Sequence, residues 1–353
     1  MDYSKKTRSE LIIICKDANI KGYSTKTKSQ LIDLIVSVCD KPPTDSSSPS
    51  NLFDTITSDS LNELLPSKNI KMEEIKDNKH IKPIEGPVSQ FMEFNKIYNE
   101  DCIIGMKKIH SESADIIICD PPYNIGKDFG NDSDRQTMEN YLTWCDTWIA
   151  ECLRILKPTG TLYIYGFSEI LAFIRTRITC NVRWLIWHYT NKVTPSLNFW
   201  QRTHESILCC YKNKPTFNRD DVREPYTESF LKNAAGKIRK STKGRFSSGE
   251  KETVYNAHEG GALPRDVIKV AALSGGAGKK ERVDHPTQKP LSLCDTLLKA
   301  SLNRNSQTLL VVPFAGSGSE CVSAKTNNVD FIGFELNGEY IEIANTRLLD
   351  LDM

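Results

Sequence analysis

At 353 residues the chain has material for one large domain plus an appendage, and its formal net charge of +1 means that any basic surface for a polyanion must be local. No apolar run approaches the roughly 18 residues that span a bilayer, and Met-Asp-Tyr-Ser-Lys-Lys leads into no signal-peptide core, so an intracellular protein of cytoplasm or nucleus is expected, with no membrane partner. Eleven scattered cysteines without a Cys-x-x-Cys indicate neither a disulfide framework nor a zinc site, but reduced thiols.

Residues 1–40 read as a small helical hairpin. Ser9 precedes a helix through Leu11, Ile12, Ile13, Ile14 and Cys15; Lys21-Gly22-Tyr23-Ser24 makes a turn; Thr27 or Lys28 opens a second helix through Leu31, Ile32, Leu34 and Ile35. Seven Lys/Arg against three Asp/Glu in residues 1–31 give a local charge of +4. This hairpin resembles the SAP motif, which implies association with DNA. Residues 41–90, with Pro42-Pro43-Thr44-Asp45-Ser46-Ser47-Ser48-Pro49-Ser50, are polar and weakly periodic, as expected of a flexible linker.

From Phe91 to residue 353 the pattern becomes α/β. Lys96–Tyr98 reads as a strand, Cys102–Ile109 as a helix and Asp115–Cys119 as a buried strand. Met138–Leu156 has apolar positions at helical spacing and is expected to stop at Lys157-Pro158-Thr159-Gly160. A strand (Thr161–Tyr165), a helix (Ser168–Arg177) and two strands (Val182–His188, Glu205–Tyr211) follow. This alternation predicts a mostly parallel sheet with helices on both faces. Trp184, Trp187 and Trp200 are expected in core or wall, and His188 and His204 in structural roles.

At about 212–284 the alternation breaks. Eleven Lys/Arg against five Asp/Glu between Lys212 and Lys251 give a local charge of +6, as expected of a loop-rich surface against a phosphate backbone. Order returns with the helix Leu291–Leu302, the strand Thr308–Val312, the helix Glu320–Asn327, the strand Phe331–Phe334 and a closing helix from Glu339 to about Leu349.

Two stretches carry the chemistry. Ile116-Ile117-Ile118-Cys119 stops abruptly at Asp120-Pro121-Pro122-Tyr123; proline cannot continue the ladder, so Asp120 stands at the carboxyl end of a buried strand, where open α/β sheets bind ligands. Pro313-Phe314-Ala315-Gly316-Ser317-Gly318 places a glycine turn between a buried strand and a helix, where backbone N–H groups can approach a ligand. Glu335, seventeen residues after Gly318 at the end of the next strand, is placed to hold ribose hydroxyls. Cys321 stands where a dinucleotide fingerprint needs its third glycine, and no Lys-Ser/Thr follows the glycines, so neither an NAD site nor a Walker phosphate loop fits. A nucleoside without a pyrophosphate, such as S-adenosylmethionine, survives.

Asp120-Pro121-Pro122-Tyr123, His285-Pro286-Thr287-Gln288-Lys289-Pro290 and Phe314-Ala315-Gly316-Ser317-Gly318, in that order, resemble the β group of amino-methylating DNA methyltransferases over roughly residues 91–350. The resemblance implies a Rossmann-like methyltransferase fold with circularly permuted motifs and a target-recognition insert at about 212–284. It implies methylation of double-stranded DNA with S-adenosylmethionine, on N6 of a flipped-out adenine, with which the Asp form of the tetrapeptide is more typically associated; N4 of cytosine and a catalytically weakened relative are the alternatives. A homodimer and a cognate restriction endonuclease stay open as partners, and no metal is implied. Asp120, Pro121, Pro122 and Tyr123 would be catalytic. By the same resemblance Asp101 would meet the cofactor's adenine, Glu335 its ribose and Thr287 and Lys289 its methionine carboxylate, above a floor of Pro313, Phe314, Ala315, Gly316, Ser317 and Gly318. The chain departs from the family at Val312, where an acid is usual, and at Ser319, where threonine is common.

Overall fold

A computed structural model describes residues 7, 11, 12, 15, 26–39, 92–126, 136–191, 197–245 and 248–352. The chain divides into two compact units, residues 1–78 and 79–353.

In the first unit, helix α1 spans Lys28–Cys39. Its start is a reciprocal cap: Gln30 N–H donates to Thr27 Oγ1 at 3.4 Å, and Thr27 N–H donates to Gln30 Oε1 at 3.0 Å. Leu31 and Ile35, one turn apart, bury completely together with Leu11 and Cys15. The turn expected at Lys21–Ser24 and the linker at 41–90 lie outside the described residues.

The second unit is built from β1 (Lys96–Asn99), α2 (Cys102–Met106), β2 (Ala114–Cys119), α3 (Met138–Ile155), β3 (Leu156–Gly166), α4 (Ser168–Arg175), β4 (Asn181–His188) and β5 (His204–Tyr211). The insert adds α5 (Glu228–Asn233), β6 (Ile238–Lys240), β7 (Glu252–Val254) and β8 (Val267–Lys269). Then come α6 (Leu291–Ser301), β9 (Leu309–Val312), α7 (Ser319–Thr326), β10 (Asp330–Glu335) and α8 (Gly338–Leu349). Among the described residues the main sheet has eight strands in the order β1-β10-β9-β2-β3-β5-β4-β8. Neighbours run parallel except where β5 lies antiparallel to both β3 and β4.

All six residues of β2 are buried, because the strand is covered on both faces. Ile117 and Cys119 pack with Met106, Trp148 and Ile170 of α2, α3 and α4. Ile116 and Ile118 pack on the other face with Leu297, Val322 and Leu348 of α6, α7 and α8. Truncating one of these isoleucines to alanine should cost about 2–5 kcal/mol. At the foot of β2, buried Asp115 accepts from Lys157 Nζ at 2.7 Å, Asn303 Nδ2 at 3.1 Å and the Leu309 N–H at 3.0 Å, fastening β2 to its neighbours.

Three expectations need correction. α3 stops just before Lys157-Pro158-Thr159-Gly160, as expected, but that stretch already belongs to β3, which begins at Leu156 and not at Thr161. Leu156 already pairs with Ala114, and the register shift before Ile116↔Thr161 absorbs the extra residues. The insert is not only surface: β8 extends the main sheet alongside β4, and the Trp187 indole donates to Val270 O at 2.9 Å. Trp187 is buried as expected, whereas Trp200 is 87 % exposed.

Candidate active site

Strands β1, β2, β9 and β10 run parallel, so Asp101, Asp120, Pro313 and Glu335 all emerge on one edge of the sheet. From β2 the chain crosses through α3 on one face, and from β9 through α7 on the other. The divergence opens a crevice at the carboxyl ends of two adjacent strands. A cavity of about 320 Å³ fills it. Its walls include every residue expected to be catalytic or to hold the cofactor except Gly318: Asp101, Asp120, Pro121, Pro122, Tyr123, Thr287, Lys289, Pro313, Phe314, Ala315, Gly316, Ser317 and Glu335. Gly318 stands behind the wall as the left-handed residue (φ +76°) before α7, where an added Cβ would lie 2.7 Å from Ala344 Cβ.

At the β2 end the side chains are charged and tightly paired. Asp120 Oδ1 accepts from the Tyr123 hydroxyl at 2.6 Å and Oδ2 from Lys289 Nζ at 2.7 Å. Lys289, expected beside the methionine carboxylate, therefore directs its ammonium at the strand-end acid in this state. Its side chain is only 3 % exposed, and Glu205 lies 3.7 Å from the same nitrogen. Burial pulls the Lys289 ammonium down, but Asp120 and Glu205 more than reverse it and hold it above the ordinary lysine range. Tyr123 is also pushed up, away from ionisation, by burial first and then by Asp120 and Glu205. Its hydroxyl also lies 3.2 Å from Glu205 Oε2, and the Tyr189 hydroxyl donates to Oε1 at 2.6 Å. The Tyr123 ring meets Phe167 edge-on at 5.2 Å between centroids. Tyr141 OH donates to Pro122 O at 2.8 Å and so fixes the diproline turn to α3.

At the β9 end the backbone does most of the shaping. Gly316 adopts φ +49°, and a Cβ there would stand 2.8 Å from His285 Nε2. Glu335 Oε2 accepts from the Gly316 N–H at 2.8 Å and Oε1 from the Asn337 N–H at 2.8 Å, which locks the bend to β10. Phe314 is held edge-on by Trp144 and Trp148 at 5.7 and 5.6 Å. Asp101 caps α2, its Oδ1 accepting from Ile103 N–H at 2.9 Å and Ile104 N–H at 3.2 Å. His285 packs on Tyr340 at 4.5 Å; burial, then Lys289 and Arg347, push its imidazole down to about 4, so it is neutral at physiological pH.

Glu205 and Glu320 were not anticipated as members of this site. Glu205 heads β5, and because that strand is antiparallel its first residues reach the same edge as the last residues of β2. An acid opening a buried strand was the available signal. Glu320, in the first turn of α7, is 4 % exposed and lines the cavity. Residues 127–135, which follow the diproline turn in the chain, lie outside the described residues.

The cavity suits a nucleoside with an amino-acid tail. It has an aromatic wall at Phe314 and Trp144, a carboxylate at Glu335, a bend whose glycine leaves the backbone bare, and a buried charged cluster beyond it. Fold and site together define a Rossmann-like methyltransferase. The chain belongs to the family described as DNA methylase, which it matches over residues 114–346, and S-adenosylmethionine is the methyl donor. It is 32 % identical over 255 residues to the type II methyltransferase M.HpaI of Haemophilus parainfluenzae, covering 70 % of this chain and 72 % of the relative. It is 31 % identical to the DNA adenine methyltransferase YhdJ of Escherichia coli (strain K12), covering 72 % and 83 %. Among solved structures, the PvuII DNA methyltransferase (cytosine-N4-specific) shares the fold at a TM-score of 0.52 and 15 % identity, covering 73 % of this chain and 87 % of that one. Among the described residues no helix is long and apolar enough to cross a membrane.

Proposed function

We propose that this DNA methyltransferase acts on N6 of adenine, extruded from double-stranded DNA into the cavity beside Asp120. The observation that carries the reading is the shared cavity, with Asp120 on one wall and the Gly316 bend on another. When bound, S-adenosylmethionine supplies an electrophilic methyl group. An exocyclic amine is a poor nucleophile because its lone pair is delocalised into the ring. Asp120 and the Pro121 carbonyl accept its two N–H bonds, which favours a pyramidal nitrogen with its lone pair turned to the methyl. Each Asp120 oxygen holds one donor, from Tyr123 or Lys289, and keeps a further lone pair with which it can accept the amine. Tyr123 then offers its ring to the extruded base. Asp120 receives the proton that the methylated nitrogen loses, after transfer, so it need not be a strong base. Holding amine and methyl in line supplies much of the remaining acceleration.

The basic insert tracks the phosphate backbone, and residues 1–40 tether the enzyme to DNA through the SAP-like hairpin. Cytosine N4 is the second reading, because the matched family takes in both N6 and N4 methylation. Incubation with labelled S-adenosylmethionine and unmethylated duplex, followed by nucleoside analysis, decides between them. N6-methyladenine that vanishes in Asp120→Ala supports the proposal, whereas N4-methylcytosine as the product refutes it. Deleting residues 1–40 should weaken DNA association yet leave turnover on short duplexes; complete loss of turnover would contradict the tether.

A further inference from the structure

Glu320 is a buried acid for which the transfer just described has no use. It borders the cavity with Asp120, Lys289 and Ser317. Apart from its own backbone N–H, its donor is the Cys294 thiol, 3.5 Å from Oε1 and a weak one. A carboxylate so buried and so thinly partnered is costly to ionise unless a cation joins it. Eight residues earlier, Val312 occupies the position where the family pattern has an acid, and its side chain is fully buried in the apolar core.

The cofactor carries two cations. Its sulfonium must face the target nitrogen, and a fixed carboxylate against it would stabilise the reactant more than a transition state in which that charge disperses. The α-ammonium of its methionine end takes no part in the chemistry and can hold a permanent counter-ion. We propose that Glu320 binds this α-ammonium and supplies from α7 the carboxylate missing at Val312. The assignment rests on reading the cavity as the S-adenosylmethionine site.

The charged and titratable groups around Glu320 are Asp120, Lys289, Cys294, Tyr165, Cys321 and Arg347. Burial, then Asp120, raise its carboxyl to about 7 against the opposing pull of Lys289. Without a bound cation it is thus partly protonated at neutral pH, and binding an ammonium expels the proton. Affinity should therefore fall as pH drops below about 7.

Titration calorimetry on the full chain tests this with three probes: S-adenosylmethionine, S-adenosylhomocysteine, which keeps the ammonium without the sulfonium charge, and 5′-methylthioadenosine, which lacks the amino-acid end. Glu320→Gln should weaken the first two by about tenfold or more and 5′-methylthioadenosine by less than about twofold, with Glu320→Asp recovering part of the loss. The fall in S-adenosylhomocysteine affinity from pH 8 to pH 6 should flatten in the Gln variant. Equal losses for all three probes would mean a structural role, and a loss confined to S-adenosylmethionine would place Glu320 on the sulfonium; either overturns the assignment. Intact binding of all three by Glu320→Gln sinks the assignment alone, whereas wild-type protein that binds none of them removes the cavity reading as well.

Discussion

Strands β2 and β9 lie side by side and end in one cavity, but their last turns are made of opposite materials. Pro121 and Pro122 stiffen the turn after β2 and deliver side-chain charge, so that Asp120, Lys289, Glu205 and Tyr123 gather within hydrogen-bonding or ion-pairing reach of one another. Gly316 and Gly318 after β9 adopt positive φ and remove side chains, leaving bare backbone braced by Glu335. Moving a small group between two ligands requires both kinds of end. One must direct charge at a reacting atom, and the other must let a bulky nucleoside come close.

The sharpest way to break the contrast is Asp120→Ala. It should lower methyl transfer by about 10²–10⁴-fold while S-adenosylhomocysteine binding, measured by calorimetry, stays near wild type. A matching loss of binding would show that the two ends are not separate. Next in size is Lys289→Met, which leaves Asp120 and Glu205 as neighbouring buried carboxylates without their cation and should cost about 3–5 kcal/mol in denaturant unfolding. Unchanged stability would mean that Tyr123 and Tyr189 suffice to hold them.

At the other end, Gly316→Ala and Gly318→Ala should each cost about 1–3 kcal/mol, because alanine at φ +49° or +76° is strained and its Cβ meets His285 or Ala344. Gly316→Ala should in addition weaken S-adenosylhomocysteine binding; a variant with full affinity would show that the bare backbone is dispensable. The smallest effect concerns pH. His285 is pushed down to about 4, below the 6.5 of the unfolded chain, so between those values only the unfolded state takes up a proton and stability falls as the pH drops. Glu320, raised to about 7, contributes with the opposite sign from about 7 downward. The melting temperature of Glu320→Gln should therefore fall more steeply from pH 6.5 to 4.5 than that of wild type, and that of His285→Asn less steeply. Parallel curves for all three would remove both groups as determinants.

Much of the scaffold was legible because burial writes itself into strand composition. Ile116-Ile117-Ile118-Cys119 can only be a strand covered twice, and the glycines after Val312 can only be a bend. The end of α3 was legible in the stop signals of Lys157-Pro158-Thr159-Gly160, but the start of β3 was not, because pairing between Leu156 and Ala114 carries those residues into the strand. Likewise the composition of 212–284 announced a surface, but the pairing of Val267–Lys269 with β4 depends on a sheet edge that no local pattern contains.

The sequence by itself determined the two motif turns and the strands that feed them, because hydrophobic periodicity and the φ preferences of proline and glycine are local properties. Only the tertiary structure decided that Lys289 would pair with Asp120 across 169 positions of chain, that Glu205 would join them from an antiparallel strand, and that Glu320 would line the same cavity. Those outcomes depend on which strand ends share an edge, and charge pairing acts through space between groups that the chain itself keeps far apart.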